Sequence, residues 1–353
     1  MAYRVIQWST GNVGHFALRV ILGHPELELV GLWVSGPAKA GKDAGELCGL
    51  PPVGVRATSD ADALCAMDAD CVCYTATADL RPFEAIEDVC RILASGKNVV
   101  SSSIVPLVHP KSFFAETREK LEEACRRGGS SFWTSGIDPG FANDVLPLVL
   151  SGLCENWEEV RCQEIINYAT YDQPQVLFET MGFGKSMDHT SLLLAPGSLT
   201  FAWGGTVRLL ADGLGVELEE IRETHERRPA VKPIRIGKHV VEPGTMAALR
   251  FEVQGIIDGR PAIVVEHVTR LDDDLAPEWP QGSGYRVVIR GVPSMRCHFD
   301  FADEAGDLAV GGVLLTATRL VNAIPAVCAA PPGLMSALDL PLVTGRGLRR
   351  KSD

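Results

Sequence analysis

The chain has 353 residues, 46% hydrophobic and 22% charged, with a formal net charge of −12. At about 150 residues per domain this predicts two globular domains whose cores need no disulfide or metal staple. No long Lys/Arg run, signal-peptide pattern or stretch of about 18 uncharged apolar residues is visible, which excludes a nucleic-acid footprint and a membrane anchor. The ten cysteines lie in hydrophobic segments without a C-x-x-C pair, as buried hydrophobes do in a reducing compartment. A cytoplasmic protein with neither a membrane nor a nucleic-acid partner and no metal site is expected.

Tyr3–Trp8 reads as a strand, and Val13, Phe16, Ala17, Val20 and Ile21 recur at helical spacing behind it. Leu27–Val34 suits a buried parallel strand, and Val53–Val55 and Asp70–Thr75 have strand character. A helix opens at Pro82 and stops at Gly96. The strand Lys97–Ser103, a charged helix Lys111–Arg127 and the strand Ser131–Thr134 follow. This alternation predicts an α/β fold, an N-terminal Rossmann domain over residues 1–136.

After Gly136 the rhythm changes. Glu159–Ala169 reads as a strand, while Pro174–Gly182 and Leu199–Gly213 read as helices. Thr245–Ile257 and Pro261–Leu271 flank Asp258-Gly259, and Gly284–Arg290 and Met295–Phe301 flank Gly291-Val292-Pro293, two hairpin signals. Residues 137–308 therefore form a second α+β domain with an antiparallel or mixed sheet. Residues 309–353 supply a helix over Val310–Asn322, closed by Pro325, and a loose basic tail from Gly345 that returns to the first domain.

Ser9-Thr10-Gly11-Asn12-Val13-Gly14-His15-Phe16-Ala17 sits between the first strand and first helix, where a glycine turn and helix N-terminus cradle a pyrophosphate. No G-x-x-x-x-G-K-[ST] pattern competes with it. After the second strand come Ser35, Lys39 and Lys42 but no carboxylate, which favours NADP(H) over NAD(H); the plainer reading leaves both lysines as solvated loop residues. Thr75, Ala76 and Thr77, and then Ser101 and Ser102, end later strands and should border the cofactor.

Hydride transfer to C=O or C=N needs a proton donor near working pH. Candidates are His267, on a strand face with Ile263 and Val265, and Tyr168 and Tyr171, just after a strand. Glu164 shares an apolar face with Cys162 and Ile166, where it either pairs with Arg161 or Arg250 or serves as the acid. His109, after the serine segment, either serves as the acid or reads as an exposed loop residue, and Trp203 reads as helix packing. At the domain junction, Phe141, Asn143 and Asp144 follow a rigid Pro139-Gly140 turn and sit where substrate would meet cofactor, although Asp144 equally suits a helix cap.

The ordered set STGNVG, GKNVV, GIDPGFANDVLP and RLVNAIP resembles the dihydrodipicolinate-reductase-like superfamily over nearly the whole chain. Within it, the chain looks most like the branch of 2,4-diaminopentanoate dehydrogenase and the native amine dehydrogenases. The resemblance implies an NAD(P)H-dependent oxidoreductase acting at the C=N, C–N or C=O centre of a small-to-medium carbonyl compound or amine. It also implies a homodimer formed through the second domain. It places Gly11, Asn12, Val13 and Gly14 at the phosphates, Ser35, Thr75, Ala76 and Asn322 on the rest of the cofactor, and Phe141, Tyr168, Tyr171, His267 and Thr316 around the substrate.

Two departures stand against it. The acidic residue that such amine dehydrogenases carry after the fifth strand is replaced by Ser102-Ser103-Ile104, with no carboxylate until Glu116. Gly184-Lys185…His189 does not reproduce the paired-His and Lys signature of dihydrodipicolinate reductases. An ammonia-independent carbonyl or C=C reductase and a non-catalytic NADP-binding sensor are the alternatives.

Overall fold

The computed structural model describes residues 2–78, 81–171 and 173–349. They divide into two compact units, one of residues 2–138 with 313–349 and one of residues 139–312. In the first unit, β1 (Tyr3–Trp8) leads through the glycine turn into α1 (Asn12–Gly23). Gly14, Ala17, Leu18 and Ile21 recur every three or four residues, so one stripe of α1 is buried. Then come β2 (Leu27–Trp33), α2 (Ala44–Leu47), β3 (Ala57–Thr58), α3 (Ala61–Ala66) and β4 (Cys71–Tyr74). All four residues of β4 are buried, as in a parallel strand covered on both faces. The helix α4 (Pro82–Ala94), β5 (Asn98–Ser101), α5 (Ala115–Gly128) and β6 (Ser131–Thr134) complete the alternation.

The strand expected at 53–55 is absent. The Asp43 carboxylate takes the N–H groups of Val53 and Gly54, each at 2.8 Å, and withdraws them from any ladder. The helix expected from Lys111 starts only at Ala115, because Pro110–Ser112 forms a separate 3-10 turn.

The second unit runs α6 (Val145–Ser151), β7 (Asn156–Asn167), α7 (Ser198–Leu214), β8 (Glu220–Pro229), β9 (Ile234–Ile236), β10 (His239–Val241), β11 (Met246–Ile257), β12 (Arg260–Arg270), β13 (Gly284–Val292) and β14 (Met295–Phe299). Its six-stranded sheet has the order β14-β13-β7-β12-β11-β8. Only the β12–β7 pair is parallel, so the sheet is mixed. Asp258 and Gly259 both have positive φ, 50° and 71°, as a type I′ hairpin turn requires. Alternation along β11 sends Leu249, Phe251 and Val253 into the core that α7 covers, and Arg250, Glu252 and Gln254 to the other face. β8 went unread because EIRETHERRP carries charge on both faces. The segment expected as a helix at 174–182 is helical, wound as a π-helix over Val176–Met181.

The chain then forms α8 (Leu308–Ala329), which ends among residues of the first unit, and β15 (Gly333–Met335). β15 pairs parallel with β6 and completes the seven-stranded order β15-β6-β5-β4-β1-β2-β3. Pro325 does not close the helix but lies within it. Proline inside a helix costs roughly 3 kcal/mol, whereas fully burying Val321, Ile324 and Val327 returns about 1.5–3 kcal/mol each. By length and hydropathy alone α8 is long and apolar enough to cross a bilayer; Arg319 sits midway, 5.1 Å over the Trp133 ring. Of the tail, residues 346–349 are exposed, and 350–353 lie outside the described residues.

Candidate active site

In the first unit, the candidate cofactor cradle is the turn after β1. Gln7 is fully buried and its Nε2 donates to the carbonyl of Ser9 (2.8 Å) and to Thr75 Oγ1 (2.8 Å). Thr75 Oγ1 in turn donates to the Trp8 carbonyl at 3.0 Å. This clamp holds Ser9 at a φ of 83°, a left-handed conformation costly for a non-glycine residue. Directly after it, a Cβ on Gly14 would sit 2.3 Å from the Ser9 oxygen and 2.6 Å from Thr75 Oγ1, so only glycine fits. A Cβ on Gly11 would meet nothing within 4 Å.

Gly11 and Asn12 are exposed and Val13 is half-buried. α1 has no side-chain cap from its N-cap residue and no acidic residue in its first turn, so the positive end of its dipole is not offset there by a carboxylate of its own. Lys39 reaches back to this turn, its Nζ donating to Thr10 Oγ1 (2.9 Å) and to the Thr10 carbonyl (3.0 Å). Burial, with Arg19 and Lys39 nearby, holds the His15 imidazole below its usual pKa. The open cradle, the donors and the cation fit a dinucleotide phosphate.

The other expected cofactor residues divide. Ser35 and Thr77 are exposed and Ala76 is buried. Thr75 and Ser101 are buried and spoken for: Ser101 Oγ accepts the Ser103 N–H at 2.9 Å and donates to the Ser103 carbonyl at 3.3 Å. Ser102 gives its N–H to the Tyr74 carbonyl (3.3 Å), and Ser103 Oγ donates to the Ala76 carbonyl. The serine segment thus ties β4 to β5. It is followed by Ile104 at a φ of 57°, which is strained for a β-branched residue. On α8, Asn322 keeps a buried Oδ1 without a hydrogen bond among the described residues, while Thr316 Oγ1 accepts the Ile137 N–H at 3.2 Å. His109 is buried rather than exposed, its Nδ1 2.9 Å from Ser112 Oγ.

In the second unit, a cluster of polar side chains lies on the apolar face of the mixed sheet. β13 pairs with β7 so that Tyr285 stands opposite Glu164, and β12 pairs with β7 so that His267 stands opposite Glu164 on the other side. Phe251 continues the row beyond His267. Register alone therefore puts Tyr285, Glu164, His267 and Phe251 side by side on one face. Tyr168 lies four residues past Glu164, where its N–H still pairs with the Arg270 carbonyl (2.8 Å) and its ring turns back over the row.

The Glu164 carboxylate is 5% exposed. Tyr168 Oη donates to its Oε1 at 2.7 Å, Tyr285 Oη to its Oε2 at 2.9 Å, and His267 Nδ1 lies 3.5 Å from Oε1. The arginines offered to it by sequence, Arg161 and Arg250, point to the opposite face and bind Glu266 instead. Aromatic rings wall the group. His267 stacks on Phe251 at 4.6 Å with the Trp203 edge at 4.7 Å, and Tyr285 stacks on Phe301 at 5.4 Å. Phe299 meets both Tyr285 (6.3 Å) and Phe141 (5.9 Å). Tyr171 packs on Tyr168 at 4.8 Å and its hydroxyl accepts from Gln173 Nε2 at 2.7 Å.

Asn143 and Asp144 hold the junction turn: Asn143 Oδ1 accepts the Gly140 N–H at 3.0 Å, and Asp144 caps α6 through the Val145 N–H. Sequence reasoning missed Tyr285, Phe299 and Phe301 and took Trp203 for packing alone. The alternation of Tyr285 with Val287 and Ile289 was the signal that could have found the first.

The profile of the 2,4-diaminopentanoate dehydrogenase C-terminal domain matches residues 141–348. An amine dehydrogenase of Streptomyces virginiae is 44% identical over 98% of this chain and 99% of its own length. A 2,4-diaminopentanoate dehydrogenase of Acetoanaerobium sticklandii is 23% identical over 72% of this chain and 70% of its own. The solved amine dehydrogenase of Mycobacterium smegmatis shares the fold with a TM-score of 0.78 at 20% identity, covering 98% of each chain.

Proposed function

The chain belongs to the 2,4-diaminopentanoate dehydrogenase family, an oxidoreductase family, and from that premise we propose that it is a cytoplasmic, NADP(H)-preferring amine dehydrogenase. Its substrate is a small-to-medium carbonyl compound and the corresponding primary amine. The observation that carries the reading is the buried Glu164 carboxylate, held by two phenols and an imidazole on a face otherwise made of aromatic and aliphatic side chains. A carbon–nitrogen centre needs proton transfer as well as hydride transfer, and this group supplies it in a water-poor setting.

Gly11 to Gly14 and the start of α1 would hold the pyrophosphate, and the bound nicotinamide would supply or accept the hydride. Lys39, fixed beside the turn by Thr10, supports the preference for the 2′-phosphate. Phe141, Phe299, Phe301 and Tyr171 would exclude water from the reacting carbon. We assign a homodimer to the charged face of the second unit's sheet, since α7 packs on the other.

A second reading, carbonyl reduction without ammonia, is favoured by one observation: the serine segment after β5 offers no carboxylate and spends its hydroxyls on backbone. One assay separates the two. NADPH consumption is followed with a panel of ketones and aldehydes, with and without ammonium at alkaline pH. Consumption that requires ammonium is the expected result; consumption indifferent to it overturns the amine reading. Lys39→Ala should weaken NADPH binding about tenfold, the loss of one charge-assisted contact, and leave NADH binding unchanged.

A further inference from the structure

We propose that Glu164 is the catalytic residue that binds ammonium and takes its proton, with Tyr168 and Tyr285 as positioning residues. This rests on the amine dehydrogenase reading and names the group that the segment after β5 does not provide. Below alkaline pH the nitrogen source is ammonium, which has no lone pair with which to attack a carbonyl. A base must take one proton at the place where the C–N bond forms.

Glu164 suits that task in three ways. It is buried beside aromatic side chains, and away from bulk water a carboxylate attracts a cation more strongly than at the surface. Its fixed partners Tyr168 and Tyr285 are phenols, weak acids that orient the carboxylate without cancelling its charge. Each phenol occupies one lone-pair direction on a different oxygen, and a carboxylate offers about four. His267 Nδ1, at 3.5 Å from Oε1, provides a route by which the proton can leave or return.

The steps balance. Glu164 takes one proton from ammonium, and the freed nitrogen lone pair forms the C–N bond while the carbonyl π pair moves to oxygen. A proton passes from that nitrogen to that oxygen, giving a carbinolamine. The proton held by Glu164 then goes to the hydroxyl, the C–O bond breaks, water leaves, and an iminium remains to accept the hydride. Glu164 ends as it began, ionised.

The test uses the full chain with NADPH, a carbonyl substrate that the wild type consumes, and ammonium chloride as the varied reactant. Glu164→Gln should lower kcat at saturating ammonium about 10²–10⁴-fold, the usual range for a lost general base. NADPH binding, read by fluorescence titration, should stay within about twofold, because the cofactor contacts are not altered. Tyr285→Phe should keep measurable turnover and raise the KM for ammonium more than that for NADPH, because it removes one donor that orients the carboxylate and leaves the carboxylate itself in place. Glu164→Asp should recover part of the lost rate, and it keeps the test valid if the glutamine variant fails to fold. Retention of kcat in Glu164→Gln would overturn the inference and leave the amine reading intact. No ammonium-dependent consumption by the wild type would overturn both.

Discussion

Two carboxylates stand on neighbouring rows of the mixed sheet and face opposite ways. Glu266 on β12 lies opposite Gln163 of β7, and the next residue, His267, lies opposite Glu164. Glu266 is 1% exposed and receives Arg161 at 2.6 Å, Arg250 at 2.8 Å and Gln163 Nε2 at 2.8 Å. Arg161 also binds Glu252 and Glu159, and Arg250 binds Glu252 and Glu226, so the charges on that face form a closed network. Glu164 is nearly as buried, but its partners are two phenols and an imidazole. A carboxylate between guanidiniums has its charge answered and serves to join strands. One among phenols keeps a charge that a ligand's proton can answer, which is a reason to treat it as chemistry and not as scaffold.

The largest expected effect comes from opening the network. Glu266→Gln leaves Arg161 and Arg250 short of a buried anion, and breaking such a set costs about 3–5 kcal/mol. Urea unfolding should show it as a lower midpoint with an unchanged slope. The double variant Arg161→Met with Glu266→Met should cost less than the sum of the two single changes, by about 1–3 kcal/mol. Additive losses would mean that the residues do not act as a unit.

Acid sharpens the contrast further. Burial alone would raise the Glu266 carboxyl, but Arg161 and the Gln163 hydrogen bond outweigh it and hold its pKa below the usual 4.5. A group depressed in the folded state stabilises the fold at pH above its unfolded pKa, and that contribution is lost as pH falls through the folded value. Unfolding midpoints measured downward from pH 4.5 should therefore fall, and fall less in Glu266→Gln.

A third carboxylate gives the smallest effect. Glu223 accepts from the N–H groups of Gly197 (2.6 Å) and Thr200 (2.8 Å) and so caps α7. Glu223→Ala should cost about 1 kcal/mol of stability, the usual worth of a cap, with turnover unaffected.

Much of this was legible in the chain because it is written in short-range periodicity. The parallel alternation around β1, β4, β5 and β6, the glycine turn and the Asp258-Gly259 hairpin all follow from neighbours a few residues apart. Glu164 could be singled out because it interrupts an apolar alternation with Cys162 and Ile166. Its partner could not, since Tyr285 lies 121 residues away and is brought opposite only by the β13–β7 register. The same limit explains the mistaken pairing of Glu164 with Arg161 and Arg250, whose face is set by strand neighbours that local spacing does not reveal. Pro325 and β8 failed for another reason: tertiary burial and sheet pairing outweighed a local rule.

The most direct test of the account measures Glu164→Gln and Glu266→Gln side by side, each for ammonium-dependent NADPH consumption and for its unfolding midpoint. A crossing is expected: Glu164→Gln loses turnover about a hundredfold or more and keeps its midpoint, while Glu266→Gln loses its midpoint and, folded, keeps turnover. If Glu164→Gln instead loses stability alone and turns over at the wild-type rate, the phenol-held carboxylate is scaffold and the central claim is wrong.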